Sequence, residues 1–133
     1  MQVKIDTKEK FHVITLTDQN LTAILAADLK EIFTKYLDGE IKNVILKLQN
    51  VSTIDNEAAL QLTRLQQMFY ERNASFIICE MNPAVEQKLD ELELLEIMNV
   101  TPTESEAWDI VQMEEIEREL LDGADGEFPL KND

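Results

Sequence analysis

The residues of this sequence that could do chemistry begin with a pair of acids, Asp55 and Glu57, on either side of Asn56. They fall in the stretch STIDNEAAL, between an aliphatic run, NVILKLQ, and an amphipathic one. Two carboxylates in one turn can hold Mg²⁺ or Ca²⁺, or exchange protons with a substrate. No EF-hand spacing surrounds this pair, and 27 acids in the chain make such pairs common by chance. We therefore predict no metal site and no acid–base catalysis here.

The sequence also has few residues that could act as a nucleophile or bind zinc. The chain has one cysteine, Cys79, and one histidine, His12, and a zinc site would have to add several carboxylates to them. Cys79 lies within the apolar run SFIICEM, where a cysteine is typically a small buried hydrophobe. His12 stands between Phe11 and Val13, so strand alternation predicts that it faces solvent.

Phosphate-binding and hydrolase motifs are missing from the sequence. The three glycines, Gly39, Gly123 and Gly126, form neither a glycine-rich phosphate loop nor a G-x-S-x-G elbow. We therefore expect a protein that is not an enzyme and has no cofactor.

Charge is distributed unevenly along the chain and bears on its partners. Residues 1–79 hold 10 acids and 9 bases, whereas residues 80–133 hold 17 acids and 3 bases, out of a net charge of −15. An acidic surface repels nucleic acid and anionic membranes and favours a basic partner. The alternative interpretation is that the acidic residues only keep the protein soluble.

Length and composition indicate one domain in a reducing compartment. A chain of 133 residues with 44% hydrophobic and 29% charged residues is ordinary for one globular domain. No apolar run approaches the roughly 20 residues of a membrane span, and the first ten residues lack a signal-peptide core. A single cysteine permits no internal disulfide. We expect a cytoplasmic location.

The elements that must position these residues follow the order ββαβαβα, a short strand and a final helix. Apolar residues alternate in the first two segments, and intervals of three and four mark the later helices. From Asn43 onward strands and helices alternate, which favours parallel pairing through right-handed crossovers. The prediction is an α/β fold: a mixed sheet of about five strands, mostly parallel with an antiparallel N-terminal edge, packed on about four helices.

The last predicted helix raises a separate question. Thr103 and Glu106 have the spacing of a capping box, and Trp108 follows in the first turns. We expect Trp108 to pack on the sheet, although an anchor for a partner is the other interpretation. The helix has more apolar residues than one buried face needs, so its far end can dock on another molecule, including a second copy in a homodimer. We place the domain at residues 1–121 and a flexible acidic tail at residues 122–133.

Taken together, these residues resemble a STAS domain, the fold of bacterial anti-sigma factor antagonists and of sulfate transporter tails. The strand VILKLQNV leads to Ile54-Asp55-Asn56-Glu57-Ala58, where the antagonists have an apolar residue followed by Asp-Ser-Ser-Gly. The run SFIICEMNPAVEQKLDELELLEIM resembles the family's next strand, Asn-Pro turn and third helix, and VTPTESEAW its last strand and final helix. The resemblance covers nearly the whole chain, from Val3 to Leu121.

The resemblance implies a binding module that regulates transcription by partner switching. In the antagonists an anti-sigma kinase phosphorylates the second serine of the motif, and the unphosphorylated form captures that kinase. By position, Asp55 matches the motif aspartate, Asn56 the first serine, Glu57 the phosphorylated serine and Ala58 the glycine. Because Glu57 has no hydroxyl, the usual phosphorylation site is lost. The implied partner-binding loop consists of these four residues and Thr53.

Several alternatives stay open at this point. The acids also have a purely structural explanation, in which Asp55 caps the following helix through the N–H of residue 57 or 58 and Glu57 complements its dipole. Phosphorylation could move to nearby hydroxyls: Ser52, Thr53 or Thr63. A small-ligand-binding STAS domain is a third reading, although an acidic turn without glycine disfavours nucleotides.

Overall fold

The structure, a computed structural model, describes residues 2–127, and its side chains are described as far as Leu121. It contains seven strands: β1 (Val3–Thr7), β2 (Phe11–Leu16), β3 (Asn20–Leu21), β4 (Asn43–Lys47), β5 (Thr53–Ile54), β6 (Phe76–Cys79) and β7 (Val100–Thr101). The α-helices are α1 (Ala23–Tyr36), α2 (Asn56–Glu71), α3 (Pro83–Glu91) and α4 (Glu104–Glu127). Within these residues no helix has the length and apolar character of a membrane span.

The main sheet has five strands in the order β1-β2-β4-β6-β7. β1 runs antiparallel to β2, with Ile5 opposite Ile14, and the other neighbours are parallel. Each parallel step passes through a helix, because parallel strands can be joined only by a long crossover connection. The predicted fold class, a mixed sheet of about five strands with four helices, is confirmed.

Two very short strands, β3 and β5, were not predicted. They form a separate parallel pair in which Asn20 lies opposite Thr53 and Leu21 opposite Ile54. Two residues are too few to produce a periodic pattern, and their pairing partner lies about 33 residues away in the chain. This small sheet matters because it holds the start of the loop that precedes α2.

The sheet is covered on both faces, which explains why its central strands are continuously apolar. On one face, the side chains of Val44, Leu46 and Phe76 join a large core with α1, α2 and α3. On the other face, Ile45 and Ile77 join a smaller core with α4. Of the helices in the described residues, only α4 contributes to the smaller core, through Ala107 and Val111. One face of the sheet is therefore covered by three helices and the other by one.

The prediction that His12 faces solvent is wrong. His12 is 8% exposed, and its ring stacks on Tyr36 of α1 with centroids 3.8 Å apart. Its ring nitrogens lie 2.9 Å from the Thr7 hydroxyl and 2.9 Å from the Ile41 carbonyl oxygen. Alternation along β2 is kept, but α1 covers the face on which His12 lies.

A buried glutamine ties α2 to the sheet. Gln66 is 3% exposed, and its amide nitrogen donates to the carbonyl oxygens of Phe76 and Asn99, each at 2.9 Å. Its amide oxygen accepts from the Asn99 N–H at 3.1 Å. Three backbone groups between β6 and β7 are thus satisfied by one side chain.

Helix boundaries agree with the predicted signals at most ends. Pro83 begins α3, and the Thr103 hydroxyl accepts from the Glu106 N–H at 3.2 Å, as a capping box predicts. The third helix implied by the resemblance, which covers the run PAVEQKLDELELLEIM, is too long, because α3 ends at Glu91 and the chain turns at Glu93, which has φ 61°. A 3-10 helix, Leu95–Ile97, follows that turn. The turn lets Leu94 and Met98 reach the core.

The last helix extends beyond the predicted domain end. α4 continues to Glu127, six residues past Leu121. The rest of the predicted flexible tail, residues 128–133, lies outside the described residues, so its flexibility stays a prediction.

Candidate functional site

The loop predicted to bind a partner is held in place by the small β3–β5 sheet. The N–H groups of Ser52 and Thr53 donate to the Gln19 carbonyl oxygen at 2.7 and 3.2 Å. The Thr53 hydroxyl donates to the Asn20 side-chain oxygen at 2.6 Å. These bonds fix the backbone that enters α2, so the loop presents its side chains from a defined position.

Asp55 occupies the N-cap position of α2 but does not cap it with its side chain. Its backbone is extended, with φ −73° and ψ 152°, as an N-cap residue requires, yet its carboxylate makes no bond to α2. Instead, its Oδ2 accepts from the Ala23 N–H, at 3.3 Å, at the start of α1. The predicted bond to residue 57 or 58 is therefore wrong. Asp55 joins the N-termini of two helices, each of which favours a negative charge.

Glu57 projects from the first turn of α2 into solvent. Asn56 and Glu57 are both exposed, and the contact that Glu57 makes is a long bond, 3.4 Å, accepted from Gln61 one turn later. A carboxylate in this turn is stabilised by the free N–H groups and the helix dipole. Glu57 is thus an exposed carboxylate at the start of α2.

Ala58 differs from the other residues of the predicted loop. Its side chain is 0% exposed and packs in the larger core with Ala59 and Leu62. The exposed residues of the loop are therefore Thr53, Asp55, Asn56 and Glu57, and Ala58 packs beneath them in the core.

The alternative hydroxyls have different surroundings. Ser52 and Thr53 are exposed, whereas Thr63 is 4% exposed and its hydroxyl donates to the Ala59 carbonyl oxygen at 2.9 Å. A kinase must reach the hydroxyl and free it from that bond. The geometry of Thr63 therefore disfavours it as a phosphorylation site, and Ser52 and Thr53 are the accessible hydroxyls.

Residues from other elements complete the surroundings of the loop. Lys88 of α3 donates to the Ile54 carbonyl oxygen at 3.2 Å, which places a positive charge beside the acids. Asn82 donates to the Val51 carbonyl oxygen at 2.6 Å. The large apolar side chain of Ile24, next to Ala23, is 78% exposed. The sequence did not place these residues at the loop, because they lie about 30 positions from it, and the Asn-Pro turn at Asn82 gives no indication of what it contacts.

An open cleft of about 380 Å³ adjoins the loop on the side of α1. It is lined by Asp18, Gln19, Asn20, Thr22, Ile24, Leu25 and Asp28. Its two aspartates and the lack of any base among these residues make it a poor site for an anionic ligand.

A second polar cluster lies on the face covered by α4. Lys47 of β4 and Glu104 form an ion pair at 2.8 Å, and Glu104 also accepts from the Trp108 indole N–H at 2.9 Å. The bond with Glu104 raises the pKa of Lys47, and the same bond lowers the pKa of Glu104. Trp108 packs edge-on against Phe11 with centroids 5.0 Å apart, as predicted for a residue that packs on the sheet. The cluster attaches the start of α4.

Cys79 is not placed for nucleophilic chemistry. It is 0% exposed, as predicted, and burial raises the pKa of its thiol to about 12. The thiolate is the reactive form, so at neutral pH this cysteine is inert. Across the described residues, no three histidine, cysteine, aspartate or glutamate side chains cluster in a way that could hold a metal ion.

Comparisons with known proteins agree with this architecture. The family model "STAS domain" matches residues 2–107. Among curated proteins none matches this sequence significantly. Three similar solved structures, each under 25% identical and hence informative about the fold alone, come from Planctomyces limnophilus, Moorella thermoacetica and Bacillus.

The Planctomyces protein, an anti-sigma-factor antagonist (STAS) domain protein, is 18% identical with a TM-score of 0.69, over 83% of this chain and 97% of its own. The Moorella protein is RsbS with a serine replaced by glutamate, 16% identical with a TM-score of 0.70, over 89% and 99%. The Bacillus cell fate determinant SpoIIAA in its phosphorylated form is 16% identical with a TM-score of 0.61, over 83% and 99%. The topology and the family match together establish that this chain belongs to the STAS domain family.

Proposed function

We propose that this protein is a non-enzymatic interaction module of the anti-sigma factor antagonist type. Its binding surface is the exposed row Asp55, Asn56 and Glu57 with the first turns of α2, supported by Thr53 and by Ala58 beneath. The partner is a regulatory protein, an anti-sigma factor of the kinase type. In this role the protein acts in the bacterial cytoplasm, in the regulation of transcription, and has no catalytic activity of its own.

The observation that carries this proposal is the exposed carboxylate of Glu57 at the start of α2. By its place in the motif, Glu57 stands where the antagonists carry the serine that is phosphorylated. Its charge of −1 is smaller than the −1.5 to −2 of phosphoserine, but its sign and its place at the helix N-terminus are the same. Similar proteins include a phosphorylated SpoIIAA and a glutamate variant of RsbS. We infer that Glu57 gives the loop a permanent charge that phosphorylation cannot change.

Phosphate transfer tests the lost phosphorylation site. The chain is incubated with ATP and a kinase-type anti-sigma factor from the same genome, and its intact mass is measured. We expect no added phosphate on the wild type and one phosphate on Glu57→Ser, since serine restores a hydroxyl at an exposed helix start. Asn56→Ser is the matched control, because it places a hydroxyl one residue away and should stay unmodified.

The same measurement distinguishes the alternatives. A phosphate on the wild type would contradict the proposal and favour a switch at Ser52 or Thr53, the exposed hydroxyls beside the loop. Peptide mapping would assign it. A small molecule that co-purifies in stoichiometric amounts, and is lost on Asp28→Lys in the cleft beside the loop, would instead favour the ligand-binding reading.

Binding itself is tested with the same kinase. Glu57→Lys reverses the charge of an exposed residue and should change the dissociation constant by about tenfold or more if the loop is the interface. An equal change on Glu71→Lys, at the other end of α2, would show that only the overall charge matters.

A further inference from the structure

The outer face of α4 carries an apolar stripe made of Met113, Ile116 and Leu120. Their exposed fractions are 57%, 57% and 59%, and the spacing of three and four residues places them in one line along the helix. They lie opposite the side that packs on the sheet through Ala107 and Val111. Nothing in the described part of the chain covers this stripe.

The stripe is a concentration of exposed apolar side chains and not a random scatter. Eight large hydrophobic side chains are exposed among the described residues, and four of them lie on α4. These four are Met113, Ile116, Leu120 and Leu121. Single exposed hydrophobic residues are normal on a protein surface, whereas a contiguous group marks an interaction site.

The charges around the stripe determine which partner fits it. Glu106, Asp109 and Glu117 are exposed on the outer part of α4, whereas Glu119, also exposed, forms an ion pair with Lys10 at 3.8 Å. Residues 104–121 contain one base, Arg118, and its guanidinium turns inward to the Asn43 side-chain oxygen, at 3.1 Å, and the Ser75 hydroxyl, at 3.0 Å. The face therefore presents an apolar line with acidic borders and no base of its own.

Acidic borders make a second copy of this chain a poor occupant. Two α4 helices that paired through their stripes would bring Asp109 and Glu117 of one copy against acids of the other. Like charges beside an apolar seam oppose pairing, and opposite charges favour it. The expected homodimer through the C-terminal helix is thus disfavoured by charge.

From these observations we infer that the outer face of α4 binds a basic amphipathic helix of a partner protein. The partner helix supplies apolar residues at intervals of three and four, which pack on Met113, Ile116 and Leu120, with lysines or arginines beside the acidic borders. This interface is separate from the loop before α2, because the sheet lies between α4 and the other helices. The residues of the stripe follow the part of the chain that the STAS family model matches, residues 2–107.

The probe for this inference is a fluorescent helical peptide of about three heptads, with leucines at the seam and lysines beside them. Anisotropy measures its affinity for the full chain at physiological salt. One control peptide has the same composition and charge, but its leucines are moved out of the repeating positions. A second control keeps the leucines in place and has glutamate in place of every lysine, which reverses its charge. We expect only the first peptide to bind with appreciable affinity.

Variants locate the binding surface. The triple variant Met113→Gln, Ile116→Gln, Leu120→Gln should weaken binding about tenfold or more, because three buried apolar contacts are lost. All three side chains are exposed, so the fold should be kept. The matched control is Ile24→Gln with Ile97→Gln, which removes exposed apolar groups elsewhere, at 78% and 59% exposure, and should leave binding unchanged.

Three results would overturn the inference. The scrambled lysine peptide could bind as well as the patterned one, which would mean that charge alone attracts it. The triple variant could bind as tightly as the wild type. Sedimentation could reveal a dimer that the triple variant abolishes, which would assign the stripe to a second copy. Glu57→Lys changes the loop and not α4. Peptide binding to α4 is therefore measured on this variant as well, so that a failure of the loop proposal can be distinguished from a failure of this inference.

Discussion

At the scale of single residues, the acids that first suggested chemistry have distinct roles in the structure. Asp55 joins two helix N-termini through its bond to the Ala23 N–H, and Glu57 remains exposed on the first turn of α2. Both residues, and a helix beginning at this point, were predicted from the sequence. It could not identify the partner of Asp55, because Ala23 lies 32 positions away and any helix start offers similar free N–H groups.

Gln66 shows more clearly what sequence patterns miss. A polar residue among apolar ones on α2 looks unremarkable, yet it satisfies three backbone groups at the end of the sheet. The neighbouring Gln67 is exposed and of the same type. Only the tertiary structure distinguishes the two glutamines.

We predict that Gln66→Ala lowers the free energy of unfolding by about 2–4 kcal/mol, since the Phe76 carbonyl and the Asn99 N–H lose their bonds to Gln66 and a cavity is left. Gln67→Ala, at an exposed position of the same helix, should change it by less than about 0.5 kcal/mol. Urea denaturation followed by circular dichroism measures both values. Similar losses in the two variants would contradict the role given to Gln66.

At the scale of elements, strand and helix identities follow from the sequence more reliably than their ends. The apolar runs around Val44 and Ile77 and the helical spacing of α1 predict the observed elements. The early end of α3 was missed, because Glu93 adopts a positive φ without the glycine that usually signals such a turn. The face of His12 was also missed, because strand alternation reports two faces but not which of them a helix covers.

The contact between α4 and β4 makes stability depend on pH. The bond with Lys47 lowers the pKa of Glu104 below its ordinary value of 4.5. The stabilisation is therefore fully present above about pH 4.5 and is lost as the pH falls through the lower pKa of the folded state. Glu104 is partly exposed, so the pair contributes about 1 kcal/mol at most.

We predict that Glu104→Gln is less stable than the wild type by up to about 1 kcal/mol at pH 7, and that the difference disappears toward pH 3. Glutamine keeps an acceptor for the Trp108 indole, but its NH2 group then faces Lys47, so both the charge and the hydrogen bond to Lys47 are removed. Glu117→Gln, on the exposed side of α4, should show no such convergence. A difference between Glu104→Gln and wild type that is constant with pH would refute the charge-based explanation.

At the scale of the whole molecule, the sheet separates two surfaces with different chemistry. The loop before α2 lies on the side of the larger core, and the acidic, apolar-striped face of α4 lies on the other side. The uneven charge of the sequence indicated that the C-terminal part has an acidic surface, and the excess of apolar residues in the last helix indicated a docking face. The sequence did not predict which residues of α4 face outward. That depends on how α4 packs on the sheet, through contacts that no local pattern specifies.

Cys79 provides a measurement at this scale, because its thiol lies in the smaller core beneath α4. We predict that a disulfide reagent at pH 8 modifies the native protein very slowly, since burial raises the pKa of this thiol to about 12, and modifies the protein in urea at once. Ile116→Cys in a Cys79→Ala background is the exposed control and should react without urea. Rapid reaction of native wild type would place Cys79 outside the core.

The unequal covering of the sheet also has a dynamic consequence. Three helices share the larger core, whereas α4 alone closes the smaller one with Ala107, Val111 and the edge of Trp108. Units with fewer buried contacts open at lower free energy than the rest of a fold, so the hydrogen-exchange protection of α4 should be lower than that of β4 and β6. A partner that binds the outer face of α4 thus contacts the part of the molecule that is expected to open at the lowest free energy. A shift of α4 would alter the surroundings of the Lys47–Glu104 pair and of Cys79, which pack against it, whereas the loop at Glu57 lies on the other side of the sheet.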